Sequence, residues 1–369
     1  MPEGPRPAAP PLGLIDTAAH AYDAVLVVSF GGPEGPGDVM PFLDKVLEGL
    51  KLPPQAKAKI AERYAAFGGV SPINAHTRAF IGALERELET SGLDLPVYWG
   101  NRNWHPFLPD TVKRMRDDGV RRAIAYVTST FGSYSGCRRY REDLYAAVAG
   151  LDAAPVIDKL RHGYNHPGFI EAVSSRVREA YAELPEHARA AAPLVFTAHS
   201  LPESMARHAP YQSQLHEACR LVAASIAAPP WELAYQSHNT AYGDAWLSPS
   251  IDAVLEKLAA RSARDVVVAP IGFVCDHMEV VLDLDVDAKK HASELGLNML
   301  RAATVGSHPS YVAMVRELID ERMTEDPERR ALGDFGASHD FCPVNCCLSG
   351  RPGAPRPSLA GVADGVSTP

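Results

Sequence analysis

Short apolar runs alternate with longer amphipathic stretches along this chain, and no other feature restricts its fold so strongly, because βαβ units and a parallel sheet produce that rhythm. The runs fall into two sets of four. AVLVVSF (24–30), PVYWG (96–100), RAIAYVTST (122–130) and APVIDKL (154–160) make the first set. APLVFTAHS (192–200), WELAYQS (231–237), DVVVAPIGFVC (265–275) and LNMLRAATVG (297–306) make the second. The expected fold class is therefore α/β, with two doubly wound halves, each around a four-stranded parallel sheet. A length of 369 residues is more than one core fills comfortably, which agrees with two domains. Their expected bounds are 20–160 and 161–307, followed by HPSYVAMVRELIDERM (308–323) as a closing helix in a segment that runs to 332. Residues 1–19 are expected to be a disordered lead-in, 333–350 a cysteine-cluster segment and 351–369 a disordered tail. Apolar periodicity stops after the closing helix, so only a metal is expected to order the C-terminal segment.

Charge removes whole classes of function. A net charge of −9 and a pI near 5.9, without a dense Lys/Arg block, argue against a nucleic-acid partner. No stretch approaches a membrane span, and the Pro- and Ala-rich lead-in lacks the basic start and continuous apolar run of a signal peptide. The expectation is a cytoplasmic monomer without membrane insertion. In a reducing compartment, six cysteines point to metal ligation or to inert core thiols.

Two segments carry most of the chemistry. DHMEVVLDLDVD sets Glu279, Asp283 and Asp287 four residues apart, which stacks them on one face of a helix that comes after a strongly apolar strand. Such a row can be a solvated surface face. Three like charges in file are otherwise tolerated mainly where a metal ion or a proton passes along them. TAHSLPES delivers His199 at the carboxyl end of a strand, where α/β folds build their sites. A lone histidine is often structural, yet a neutral imidazole there can accept a proton or bind a metal. His277, two residues before Glu279, is expected to support the site from behind.

The loop GGPEGPG (31–37) lies where a dinucleotide fingerprint would. Pro33 and Pro36 remove amide donors that would cradle a phosphate, so no nucleotide cofactor is expected. Phe30, Tyr98, Trp99 and Trp104 serve either as core filling or as the wall of a flat apolar ligand. Cys219 and Cys275 read as core thiols in a helix and a strand. Cys342, Cys346 and Cys347 supply three thiolates, whereas an iron–sulfur cluster or a closed zinc site takes four. Cys137, in a loop expected to be exposed after the third strand, is the best fourth donor; unligated tail thiols are the alternative.

With these residues in hand the chain resembles the ferrochelatase family over roughly residues 22–323. The resemblance rests on SFGGPEGPGDVMPFL, ERYAAFGGVSPI, VYWGNRNWHPF, TAHSLPES, YQS and APIGFVCDHMEVVLDLD, of which TAHSLP and the last segment are specific. It implies two Rossmann-type, chelatase-like domains that clamp a porphyrin and insert ferrous iron. His199 and Glu279 match the family's essential pair, and Asp283 and Asp287 its acidic ladder. Arg63, Tyr64 and Ser71 match positions that contact the porphyrin and its propionates, with Tyr140 or Tyr134 as a further contact. The C-terminal cysteines with Cys137 resemble the [2Fe–2S] ligands of the iron–sulfur-bearing branch. Two departures stand out. Phe30 occupies a position where some bacterial relatives carry a tyrosine proposed to approach the metal, and phenylalanine cannot ligate. Leu47 and Glu48 stand near where relatives carry arginines, which leaves propionate pairing to Arg63 and to hydroxyls.

Insertion removes two pyrrole protons from a distorted macrocycle, so it needs a base, a metal path and a shape. The resemblance assigns His199 to proton abstraction or first ligation of iron, Glu279 to passing iron or receiving protons, and Asp283 and Asp287 to a file toward solvent. The more polar coproporphyrin III is the expected substrate, with protoporphyrin IX as the alternative. A cobalt or iron chelatase of corrin or sirohaem synthesis, or a haem or iron–sulfur binding protein without turnover, are the rival readings.

Overall fold

Strands form where β-branched and small apolar residues run together. In the computed structural model, which describes residues 14–49, 54–238, 245–343 and 345–362, all eight expected runs are strands. They are β1 (Ala24–Ser29), β2 (Val97–Asn101), β3 (Arg122–Val127), β4 (Val156–Lys159), β5 (Leu194–His199), β6 (Trp231–Gln236), β7 (Asp265–Ala269) and β8 (Asn298–Arg301). Each sheet has the same order, β2-β1-β3-β4 and β6-β5-β7-β8, and every pairing is parallel. β7 stops at Ala269 because Pro270 cannot donate to the ladder, so Cys275 lies in the loop after it and not in the strand expected for it.

Helix starts are written in the sequence. Pro167 and Pro309 open two long helices, Pro167–Glu183 and Pro309–Met323, where a missing amide hydrogen costs nothing. The preceding His166 and His308 accept hydrogen bonds through Nδ1 from the amides of Gly168 and Ser310.

The expected division near residue 160 applies to the sheets and not to the core. Ala24, Leu26 and Val28 face a layer that belongs to the first half. Val25 and Val27 face one continuous layer with Leu194, Phe196 and Val267 of the second. The helix Pro309–Met323 packs on Pro167–Glu183 and crosses back onto Ile73–Thr90, and the Tyr126 and Tyr311 hydroxyls hydrogen-bond to each other.

Residues 1–13 and 363–369 of the expected lead-in and tail lie outside the described residues, and the described residues next to them are more tightly held than expected. Asp16 pairs with the buried Arg322 at 2.8 Å, and Leu14 bridges to Phe341. Asp340 forms an ion pair with Arg329 at 2.9 Å, so polypeptide contacts as well as any metal order this segment. Residues 351–362 are likewise no loose tail. Arg141 donates to the carbonyl of Leu359 at 2.6 Å, and Gly361–Val362 pair with Cys342–Pro343 as a two-stranded ladder. An unpaired guanidinium buried at Arg141 would be costly, and the tail satisfies its Nε and Nη2 through Leu359 and Ser358.

Candidate active site

β5 ends at His199 and is bracketed by β6 and β7, so the imidazole emerges at the carboxyl edge of the second sheet. Its Nδ1 lies within hydrogen-bond reach of the Ser200 carbonyl. A carbonyl only accepts, so Nδ1 carries a hydrogen and Nε2 is the atom free to exchange a proton. Nε2 lies 3.5 Å from Glu279 Oε2. The Tyr211 hydroxyl donates to the His199 carbonyl at 3.0 Å and fixes the strand end.

The acidic segment is a helix of unusual pitch. After one α-turn, Met278–Val280, residues Val281–Ala288 form a π-helix, and α-helix resumes at Lys289. Hydrogen bonds from i to i+5 keep residues four apart close to one line, so the expected row survives in altered geometry. His277 starts it: its Nδ1 accepts from the amides of Glu279 and Val280 at 3.2 and 3.4 Å. Burial, with His199 nearby, pushes the His277 pKa down, against the opposing pull of Glu279, and a neutral ring can go on accepting both bonds. Arg301, at the end of β8, clamps Asp285 at 2.6 Å and Asp276 at 3.1 Å on another face. Glu279, Asp283 and Asp287 are thus left facing the crevice.

The opposite wall comes from the first half. Arg63, on the helix Pro54–Ala65, reaches Asp287 at 2.6 Å and lies 3.6 Å from Asp283. It ties the two halves across the acidic row instead of standing free for a propionate. Beside it, burial and the field of Glu279 push the Tyr64 phenol up. Phe30, Phe42, Tyr64 and Trp104 make an aromatic wall, with ring centroids 5.9 to 6.3 Å apart around Phe42. Gly31 and Gly32 close the loop behind it. A Cβ on Gly32 would lie 2.7 Å from Ser71 Cβ, and one on Gly31 2.9 Å from Asn101 Cβ. These glycines allow close approach of two loops, which brings the buried Ser71 under the wall.

Of the other expected contacts, Tyr140 is buried against β1 and β3 with Leu26 and Leu144, and the Tyr134 hydroxyl donates to Glu142 at 3.2 Å. The turn after β3 that carries Tyr134 winds as a π-helix, Tyr134–Arg138. The same turn buries Cys137 at 1% exposure, contrary to the expectation of an exposed loop. Ser237 and Gln236 had no assigned role. Ser237, at φ +62°, donates to Asp283, and Gln236, the register partner of His199, has its whole side-chain amide buried without a partner among the described residues. Their only sequence signal was the strand-end triplet YQS.

Asp283 carries an electrostatic load. Burial raises its carboxyl pKa, the Ser237 hydrogen bond opposes this, and Glu279 adds to it. A carboxyl whose folded pKa exceeds its unfolded value stabilises the fold fully at low pH, and that contribution is lost as pH rises through the folded pKa. Asp283→Asn should therefore melt a few degrees above the wild type at pH 7 and level with it below about pH 4, while inserting iron more slowly. Equal melting at both pH values, by calorimetry, would refute the load.

Gly272, in the loop after β7, lies against the residue before His199. A Cβ there would come 2.6 Å from Ala198 Cβ and 2.7 Å from its Cα. Gly272→Ala is expected to lose about 1–3 kcal/mol in denaturant unfolding and to displace His199. Wild-type stability and rate together would show the strand end to be free to shift.

A concavity of about 1510 Å³ lies at the other, amino-terminal edge of the second sheet, near His216, Trp231 and Phe335. It is lined by none of the crevice residues described above. Far from the crevice, the cysteines meet. The Cys342 thiol lies among Cys137, Cys346 and His339, whose polar atoms, with Arg141 nearby, favour its thiolate and pull it well below the usual thiol range. Cys346 and Cys347 sulfurs are 3.5 Å apart.

A sequence model of the family Ferrochelatase matches residues 22–323. A protein named Ferrochelatase from Rhodopirellula baltica is 46% identical over 89% of this chain and 93% of its own length. Proteins named Coproporphyrin III ferrochelatase from Streptomyces griseus and Frankia alni are 46% and 48% identical, covering 92% and 95% of this chain and 96% and 92% of theirs. Among solved structures, SirB from Bacillus subtilis with Fe3+ superposes with a TM-score of 0.53 at 10% identity, over 83% of this chain and 100% of that one. At that identity it speaks for the fold alone.

Proposed function

Since this chain belongs to the ferrochelatase family, we propose that it inserts ferrous iron into coproporphyrin III in haem biosynthesis. The observation that carries the reading is His199 Nε2 set 3.5 Å from Glu279 with the acidic row behind it. Two pyrrole N–H bonds must break as iron bonds to the four ring nitrogens, and both protons must leave. Nε2 accepts one proton, and the Glu279 carboxylate, exposed to the crevice, accepts or relays the other. Asp283 and Asp287 extend that file toward solvent, and Arg63 holds its outer end. Phe30, Tyr64 and Trp104 stack on the macrocycle and exclude water, while Ser71 orients its rim. The preference for coproporphyrin III rests on the names of the relatives and the absence, among the described residues, of any helix long and apolar enough to cross a membrane. We take the enzyme to be cytoplasmic and monomeric.

We also propose one [2Fe–2S] cluster on Cys137, Cys342, Cys346 and Cys347. The donors fit: four buried thiols converge, with Cys346 and Cys347 sulfurs 3.5 Å apart and Cys137 beside Cys342, so that each iron can take two thiolates. When bound, the cluster cross-links the C-terminal segment to the turn after β3.

Anaerobic assays with ferrous iron test the main reading. Free-base absorption of coproporphyrin III should disappear at least about tenfold faster than that of protoporphyrin IX, a preference set by buried polar contacts to the extra carboxylates. Preference for protoporphyrin IX would overturn the substrate assignment, and porphyrin binding without iron consumption would make the protein a carrier.

A further inference from the structure

The cysteine cage contains more donors than a dinuclear cluster uses. His339, Cys342 and Cys346 each offer one ligand atom, and these three atoms lie within 4.8 Å of one another. Cys137 is a further buried thiol close enough to Cys342 to interact with it electrostatically. Cys347 lies outside that triangle, its backbone at φ +56° and its amide bound to the His208 carbonyl at 3.0 Å. The cluster reading groups the same thiols differently, as two pairs, and leaves His339 out.

We propose that the cage has a second, mononuclear mode, in which His339, Cys342 and Cys346 ligate a single soft divalent cation and Cys137 completes the tetrahedron. One nitrogen and three sulfurs are a recurrent closed set for zinc, with bonds of about 2.0–2.3 Å, and ferrous iron accepts the same donors. Each thiol loses its proton to solvent as it ligates. Three thiolates and a dication leave one negative charge, which Arg141 beside Cys342 and the buried Lys159 beside Cys137 offset. His339 is only partly buried, so an ion reaches the cage from its side. The Cys342 thiol belongs to both modes, and the two are therefore mutually exclusive. The cage then reports which metal supply the protein met: sulfide and iron select the pairs, and zinc alone selects the triangle. This inference shares the cage with the cluster reading but does not depend on it.

The test uses the full chain, purified free of metal and kept anaerobic. Titration with Co2+ should give one ion per chain, seen as thiolate-to-cobalt charge-transfer absorption, and Zn2+ should displace it. His339→Ala should weaken Zn2+ at least about tenfold, the size expected for a lost ligand or its support. Reconstituted with iron and sulfide, the same variant should keep the full visible spectrum of the cluster. Cys347→Ser should do the converse, holding Zn2+ as the wild type does while forming no cluster. Unchanged Zn2+ affinity in His339→Ala, or loss of both metals in Cys347→Ser, would overturn the proposal. Wild-type protein that binds Zn2+ but never forms a cluster would sink the cluster reading and leave this one standing.

Discussion

His199→Ala should lose iron insertion by at least about a hundredfold, roughly 2.7 kcal/mol in barrier terms, while porphyrin binding changes little. The imidazole is the base whose tautomer the structure fixes, with Nδ1 spent on the Ser200 carbonyl and Nε2 left for the incoming proton. Binding draws on other groups, the wall of Phe30, Phe42, Tyr64 and Trp104, which lies on the first half and does not touch His199 in sequence or support. Porphyrin quenching of intrinsic fluorescence and the anaerobic insertion assay separate the two effects. More than about a tenth of the wild-type rate would remove His199 from the chemistry. Glu279 shares that face, so a pair of variants that lose equally, singly and together, would mark the two as one unit.

Cys342→Ser should leave the protein colourless after reconstitution with iron and sulfide, with less than about a tenth of the expected [2Fe–2S] absorbance. Cys342 is the hub of the cage, with the Cys346 and His339 ligand atoms within 4.8 Å and Cys137 beside it, and a serine oxygen is a poor soft donor. The consequence should be local. The ion pairs of Asp340 with Arg322 and Arg329, and of Asp16 with Arg322, hold the chain up to residue 340 whatever the cage contains. Hydrogen exchange should therefore rise in residues 341–350 and stay low in the helix Pro309–Met323. A retained spectrum would show that the ligand set is wrong, and exchange unchanged in 341–350 would show that the polypeptide alone orders the segment.

Much of this protein was legible before its fold. Strand existence comes from runs of Val, Ile, Leu and Ala bounded by Pro and Gly, and the eight runs need only local burial on both faces to be strands. His199 and the row from Glu279 to Asp287 were legible because a strand end and a four-residue spacing are local facts about where side chains point. Counting donors singled out Cys137, but the exposed loop expected for it was not there: Cys137 sits in a buried π-helical turn, and helical pitch depends on what packs against it.

What the sequence determined by itself is the set of strands and the chemical inventory at their ends, since each depends on neighbours within a dozen residues, while their parallel pairing follows from the alternation of strands with helices. Only the tertiary structure decided which charges are spent. Arg63 had the chemistry to meet a carboxylate of the ligand, yet it spans 224 residues to Asp287, and Arg301 removes Asp276 and Asp285 from the row. Arg141, buried in the first half, orders a tail that composition alone reads as loose. Charge pairing at long range is settled by distances of a few ångströms between segments far apart in the chain, and no local pattern encodes them.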